Sequence, residues 1–157
     1  MSSEGRIFRL SISERRGTRK HNIDSALIWK DYGIVGDAHA GTKKQISLLP
    51  FESFDKLQNE LLDLKPGDFG ENITTIGLNF GAIKVGTILG IGDEVQLSVI
   101  EIGKECHRGC RIREITGDCI MPREGVFAKV IKGGIVKVGD DIKLIHNYQI
   151  SRMGIGS

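Results

Sequence analysis

All three cysteines of the chain lie in one short basic segment, residues 103–123, which also holds four arginines. The cysteines are Cys106, Cys110 and Cys119, and His107 directly follows the first of them. Neighbouring positive charge favours the thiolate, which is the nucleophilic and metal-binding form of cysteine. The segment therefore indicates a reactive or metal-ligating thiolate, and the spacing alone does not select the cysteine that carries it.

Three other interpretations of these thiols stay open. Three residues separate Cys106 from Cys110, which suits a pair of zinc ligands, but His107 would have to serve as a further ligand. An iron–sulfur cluster is disfavoured, because eight residues separate Cys110 from Cys119. Inert buried thiols are the third alternative, and the polar neighbours argue against it. The odd number of cysteines excludes a complete internal disulfide framework.

A glycine-rich stretch, residues 33–41, carries the next candidate groups. Asp37 and His39 are two residues apart, so their side chains point the same way if the backbone is extended. Small neighbouring residues would let a ligand approach the backbone closely. The stretch is not a Walker A loop, because Thr42 and Lys43 follow where Lys-Ser/Thr is required. His39 is therefore either a local hydrogen-bonding group or a ligand-binding residue.

Glu71 and Asn72 form another polar pair, just ahead of the β-prone residues 73–76. They either end a turn before a strand, with Asn72 bonding nearby backbone, or line a site. A polar loop, residues 14–22, lies earlier in the chain and is either a solvated loop or an anion-binding lid. Its basic side chains are Arg15, Arg16, Arg19, Lys20 and His21.

The elements that position these groups are mostly strands. The chain has 21 glycines against three prolines, and five Gly-Asp pairs punctuate it, which predicts short strands joined by tight turns. Residues 5–13 alternate as a half-buried strand. One face of that strand carries Phe8, Leu10 and Ile12, and the other carries Ile7, Arg9 and Ser11.

Two similar stretches, residues 84–97 and 132–144, predict hairpins that turn at Gly92-Asp93 and Gly139-Asp140. Residues 94–102 then predict a long strand that ends just before the cysteines, and residues 45–49 a short buried one. Residues 50–64 predict a helix that packs on a sheet, since large apolar residues recur there at helical spacing. These elements favour a mainly β (α+β) fold, built as a barrel or a strongly curved sheet.

Length and composition are those of one globular domain. The length of 157 residues and a composition of 39% hydrophobic and 27% charged residues predict a single domain, which we place at residues 1–146. Residues 147–157 are expected to form a fraying tail. The sequence shows neither an apolar run of the roughly 20 residues that span a bilayer nor a signal-peptide pattern. The net charge of +2 is too small to argue for nucleic acid. We therefore expect a cytoplasmic protein without membrane or nucleic-acid partners.

Several stretches taken together resemble a MOSC domain, the family named for the C-terminal domain of molybdenum-cofactor sulfurases. They are residues 33–41, 45–49, 66–78 and 85–92, together with the Cys106 segment. The resemblance implies a barrel akin to the pyruvate-kinase β-barrel domain and binding of the molybdenum–pterin cofactor. It also implies that Cys106 is the family cysteine that ligates molybdenum or carries sulfur. Asp37, His39, Glu71 and Asn72 match the polar residues of the family pattern.

The sequence also departs from the family pattern. Glu105 precedes Cys106 where many members have proline, and Cys110 and Cys119 are additions. The chain lacks the aminotransferase-like domain that binds pyridoxal phosphate in full-length sulfurases. Pyridoxal phosphate binding is therefore linked to this chain by family association only. It also lacks the N-terminal β-barrel of the amidoxime-reducing members. We therefore expect a stand-alone short form.

The resemblance implies a molybdenum-cofactor-binding protein that handles the cofactor or its sulfur. Cys106 would ligate molybdenum or carry a persulfide that Cys110 or Cys119 resolves, with a sulfur-donor or electron-donor protein as partner. Arg15 and Arg19, together with Arg16 and Lys20, could pair with the phosphate of the pterin. The alternatives are a molybdenum-dependent reductase of N-hydroxylated compounds and a non-catalytic zinc module held by cysteine and histidine.

Overall fold

The computed structural model describes residues 3–15, 20–56, 65–103 and 125–145. Within these ranges the chain forms eleven strands and two short 3₁₀ helices, the helices at Phe51–Lys56 and Phe80–Ala82. The strands are β1 (Glu4–Ile12), β2 (His21–Ile23), β3 (Ser25–Trp29), β4 (Gly33–Ile34), β5 (Ile46–Pro50), β6 (Ile73–Ile76), β7 (Ile88–Ile91), β8 (Val95–Ile102), β9 (Val126–Lys132), β10 (Gly134–Lys137) and β11 (Asp141–Ile145).

Seven of these strands close into a barrel in the order β11-β7-β8-β9-β5-β6-β1, with β1 pairing back to β11. The pairs are antiparallel except β5–β6, which is parallel. The short strand β2 pairs with the end of β1 outside this ring. The barrel confirms the predicted mainly β fold. None of the helices in the described ranges is long and apolar enough to cross a membrane.

A second sheet of three strands, in the order β10-β3-β4, packs on the barrel. Its inner side chains, Ala26, Ile28, Ile34 and Val136, belong to the same hydrophobic cluster as the barrel interior. The exposed side chains alternate with them along β3, as expected for a strand with one buried face. One continuous core therefore holds both sheets.

The first predicted strand is confirmed, but the predicted division of its faces is wrong. The pairing of β1 with β6 shifts register between Ile7 and Arg9. A bulge of this kind adds one residue to a strand, so that the alternation changes phase. Ile7 and Leu10 therefore both enter the core, while Phe8 packs against Phe51 with ring centroids 4.5 Å apart.

One of the two predicted hairpins forms, and the other does not. Strands β7 and β8 pair around the turn after Ile91, where Gly92 adopts a φ of +57°. The second turn also forms, with Gly139 at a φ of +97°. However, β10 pairs with β3, whereas β11 pairs with β7 on one side and β1 on the other. Because barrel closure uses both edges of β11, no edge is left for β10.

The predicted helix over residues 50–64 is described only in its first part. There it is a 3₁₀ helix, Phe51–Lys56, and Pro50 ends β5 instead of starting the helix. Phe54 is buried in a row of aromatic contacts that runs through Phe51 and Phe69. This segment therefore packs on the barrel as predicted, and residues 57–64 lie outside the described ranges.

Candidate functional site

The three cysteines lie outside the described residues, but the chain is described on both sides of them, up to Gly103 and again from Gly125. Strands β8 and β9 pair up to Ile102 and Val126, and the Gly103 N–H donates to the Gly125 carbonyl at 2.9 Å. Gly103 and Gly125 therefore meet at one place on the barrel. The roles of its thiols and histidine stay predictions: Cys106, Cys110, Cys119 and His107.

Asp37 is the centre of a buried polar cluster at the end of β1. Its carboxylate is fully buried and accepts hydrogen bonds from the Ser13 N–H at 3.1 Å and the Lys20 ammonium at 2.8 Å, both at Oδ1. The His39 N–H donates to Oδ2 at 3.1 Å. Burial raises the pKa of Asp37, but the nearby His39 side chain, the Lys20 ammonium and the Ser13 N–H outweigh it and hold the pKa well below its usual range. Asp37 is therefore charged at neutral pH.

Lys20 supplies the countercharge, which its position in a polar loop did not indicate. Its side chain is 1% exposed, and its ammonium also donates to the Ser13 hydroxyl at 3.1 Å. Residue 21 already belongs to β2, so the predicted loop is shorter than expected. Arg15 is exposed, and Arg16 and Arg19 lie outside the described residues. The predicted pairing of Arg15 and Arg19 with a phosphate stays a prediction.

His39 lies at the surface of this cluster. Its side chain is 31% exposed, and its Nδ1 lies 3.2 Å from Lys20 Nζ and 3.7 Å from Asp37 Oδ2. The turn that holds it is fixed by Thr42, whose hydroxyl donates to the His39 carbonyl at 2.7 Å. Asp37 and His39 therefore do lie together, and of the two only the histidine side chain reaches solvent.

Glu71 is fully buried at the start of β6. Its Oε2 accepts hydrogen bonds from the Gly67 N–H at 2.9 Å and the Thr74 hydroxyl at 2.8 Å, whereas Oε1 has no partner among the described residues. Burial raises the pKa of Glu71 to about 7, although the bonds from Gly67 and Thr74 act in the opposite direction. A substantial fraction of this carboxyl group is therefore protonated at neutral pH.

Asn72 is also fully buried, and its side chain joins three strands. The Oδ1 atom accepts from the N–H and hydroxyl of Ser47 at 3.0 and 3.2 Å, and Nδ2 donates to the Ser11 carbonyl at 3.1 Å. These contacts link β6 to β5 and β1. The geometry favours the structural interpretation of Asn72, and the predicted cofactor-binding role of this pair stays a prediction.

Gly67 connects the two clusters, and it belongs to one of the five Gly-Asp pairs that predicted tight turns, although its contacts with Lys20 and Glu71 were not predicted. Its carbonyl accepts from the Lys20 N–H at 3.0 Å, and its own N–H donates to Glu71. A Cβ added here would lie 2.5 Å from the Lys20 carbonyl oxygen, at a φ of +99°. Only glycine allows this approach, because both the space and the backbone conformation exclude a side chain.

The strand register brings the start of β9, where the chain returns from the cysteine segment, near this network. Leu48 of β5 pairs with Ile73 on one side and with Val126 on the other. Two strand spacings amount to about 10 Å, so the start of β9 lies close to the residue after Asn72. In the described ranges no group of three or more His, Cys, Asp or Glu side chains could hold a metal ion.

Comparisons with known proteins agree with this architecture. The family model described as MOSC domain matches residues 35–143. No curated protein matches the sequence. Among solved structures, the YuaD protein from Bacillus subtilis is similar with a TM-score of 0.73 at 18% identity, over 90% of this chain and 95% of that one.

Two structures of YiiM are also similar. YiiM from Geobacillus stearothermophilus has a TM-score of 0.68 at 17% identity, over 96% of this chain and 84% of that one. YiiM from Escherichia coli has a TM-score of 0.64 at 19% identity, over 90% and 70%. At these identities, the likeness shows a shared fold.

Proposed function

Because the chain belongs to the MOSC domain family, we propose that it binds the molybdenum cofactor and handles that cofactor or its sulfur through Cys106. The family's association with this cofactor supports the binding step. The chemistry of cysteine supports the second step, since a soft thiolate suits both molybdenum ligation and sulfur transfer.

The observation that carries the proposal is the register of three neighbouring strands. Val126, which begins β9, is separated from Ile73 only by Leu48. The chain that leaves β8 and returns to β9 therefore ends about 10 Å, and starts about 15 Å, from the strand that follows Glu71 and Asn72. This register supports a single site to which both the cysteine segment and the polar clusters contribute.

Two of the described side chains offer donors that suit an oxygen-rich ligand. The exposed edge of His39 and the exposed side chain of Arg15 would hold acceptor atoms such as pterin and phosphate oxygens. Asp37, Glu71 and Asn72 are buried, so they would support the site from beneath. When bound, the cofactor would supply a redox-active metal, and Cys106 would contribute the thiolate next to it.

The test is to purify the protein from a host that makes the cofactor and to measure molybdenum and pterin. We expect both in the wild-type protein, loss of molybdenum in Cys106→Ser, and retention in the matched controls Cys110→Ser and Cys119→Ser. Absence of both molybdenum and pterin under reducing conditions would overturn the proposal. Stoichiometric zinc in their place would select the zinc module, and unchanged molybdenum in Cys106→Ser would exclude that thiolate as its ligand.

A further inference from the structure

The His39 ring makes a contact that determines which of its nitrogens carries a proton. Lys20 Nζ lies 3.2 Å from Nδ1, within the range of a hydrogen bond. An ammonium group has three donors and no acceptor, so this bond forms only when Nδ1 accepts. A neutral imidazole that accepts at Nδ1 carries its proton on Nε2.

The other contacts of Lys20 leave the ammonium no alternative. Its two remaining protons go to the Ser13 hydroxyl at 3.1 Å and to Asp37 Oδ1 at 2.8 Å. The side chain is 1% exposed, so water does not replace His39 as the third partner. All three ammonium protons therefore have acceptors when the His39 ring is in the Nε2–H form.

The competing tautomer is disfavoured by distance and by charge. A proton on Nδ1 would have to reach Asp37 Oδ2 at 3.7 Å, which is too long for a hydrogen bond. The same proton would point towards the Lys20 ammonium, donor against donor. Without a proton on Nδ1, Asp37 Oδ2 still has a hydrogen-bond donor, since it accepts from the backbone N–H of His39.

We propose that Lys20 and Asp37 are positioning residues that hold His39 as its Nε2–H tautomer, so that His39 meets a ligand as a hydrogen-bond donor. Nδ1 faces the buried groups of Lys20 and Asp37, so a ligand that reaches this side chain, which is 31% exposed, would meet its Nε2 edge. The site then takes a ligand that offers an acceptor, such as a carbonyl or anionic oxygen. It disfavours a metal ion at His39, because a metal needs the lone pair that Nε2–H lacks.

The tautomer is a property of the free protein and is measured without any ligand. Long-range ¹H–¹⁵N correlation spectra of ¹⁵N-labelled protein at neutral pH separate protonated from unprotonated ring nitrogens, and His39→Gln identifies the His39 signals by their loss. We expect a protonated Nε2 and an unprotonated Nδ1. A proton on Nδ1 of His39, alone or together with one on Nε2, would overturn the proposal, and it is read from the wild-type spectrum once His39→Gln has assigned the signals.

Lys20→Met tests the cause, because methionine retains the length of the side chain and removes its donors. We expect the His39 ring in this variant to gain a proton on Nδ1, which then faces Asp37 alone. Lys44→Met is the matched control, because it makes the same change at a lysine that contacts a different residue. The Lys44 nitrogen lies over the Phe127 ring, 4.5 Å from its centroid. Unchanged His39 signals in Lys20→Met would show that Lys20 does not set the tautomer.

The donor role towards the ligand rests on the proposed function and is tested separately. If the wild-type protein carries the molybdenum cofactor, we expect the His39→Gln variant to retain it, because the glutamine amide N–H replaces Nε2–H. We expect the His39→Ala variant to lose it. Loss in both variants, or retention in both, would overturn the donor role. Failure of the wild-type protein to carry the cofactor would refute the proposed function and leave the spectra as the test of the tautomer.

Discussion

The pKa values of two buried carboxyl groups in the same polar network are shifted in opposite directions, because among the described residues only Asp37 has a cation beside it. Burial raises the pKa of both Asp37 and Glu71. Asp37 also lies beside the His39 side chain and the Lys20 ammonium and accepts from the Ser13 N–H, which together reverse the shift. Among the described residues Glu71 receives neutral donors, foremost those of Gly67 and Thr74, and these do not reverse the shift. The partner therefore decides the direction of each pKa shift.

Glu71 is expected to make the protein less stable as the pH rises. Its pKa is raised from 4.5 to about 7, so the folded state binds the proton more tightly than the unfolded state. The contribution of Glu71 to the unfolding free energy is therefore fully present below pH 4.5 and is lost as the pH rises towards and through 7. Relative to Glu71→Gln, which cannot ionise, the wild type should lose roughly 2–3 kcal/mol of unfolding free energy between pH 5 and pH 8. Urea unfolding of both proteins at the two pH values measures this.

Two features keep this measurement specific. Asp37 has a lowered pKa, so its contribution is present above its unfolded value of 3.8 and is lost only in more acidic solution. The exposed Glu94 provides a control, since Glu94→Gln should follow the wild-type pH dependence. If the difference between Glu71→Gln and wild type is the same at both pH values, Glu71 does not carry the raised pKa.

The sequence indicated which residue types stand in this network but not how they are paired. Asp37, His39, Glu71 and Asn72 were recognisable as polar residues among glycines and strand signals. The partner of Asp37 was not, because Lys20 is 17 residues away and lay in a run of basic residues that indicated a solvated loop. Burial of a lysine depends on the tertiary position of its acceptor, which local composition does not contain.

At the level of elements, the periodicity of the sequence predicted strands but not their irregularities or partners. The alternation over residues 5–13 predicted β1, whereas the bulge between Ile7 and Arg9 arises from its pairing with β6. The Gly139 turn was likewise predictable, because glycine tolerates its positive φ. The partner of the next strand was not, since closing the barrel is a property of the whole sheet.

The turn before Glu71 allows a test of the close approach between the backbone of Gly67 and that of Lys20. Gly67 and Gly70 both have positive φ, at +99° and +82°, but only Gly67 lacks room for a Cβ. We expect Gly70→Ala to cost about 1–2 kcal/mol of unfolding free energy, from the left-handed conformation alone. Gly67→Ala should cost at least about 2 kcal/mol more, because backbone must move. Equal losses in urea unfolding would contradict the packing of this turn against Lys20.

On the scale of the whole molecule, the two sheets share one core but differ in what they expose. Ile28 is 1% exposed and belongs to the core cluster, while its neighbour Leu27 is 43% exposed on the outer face of the small sheet. Trp29, the single tryptophan of the chain, is 52% exposed on the same face. Tryptophan fluorescence therefore reports on the small sheet, whereas far-UV circular dichroism reports mainly on the larger barrel.

Because one cluster of side chains holds both sheets, we expect them to unfold together. Denaturation followed by Trp29 fluorescence and by circular dichroism should give coincident transitions. Ile28→Ala should lower the unfolding free energy by about 2–5 kcal/mol in both signals equally, since it opens a cavity in the shared core. Leu27→Ala, its neighbour on the same strand, should cost less than about 1 kcal/mol, because the side chain lies on the exposed outer face and leaves no cavity in the core. A fluorescence transition at lower denaturant than the dichroism transition would mean that the small sheet detaches from an intact barrel, and the shared core would then not couple them.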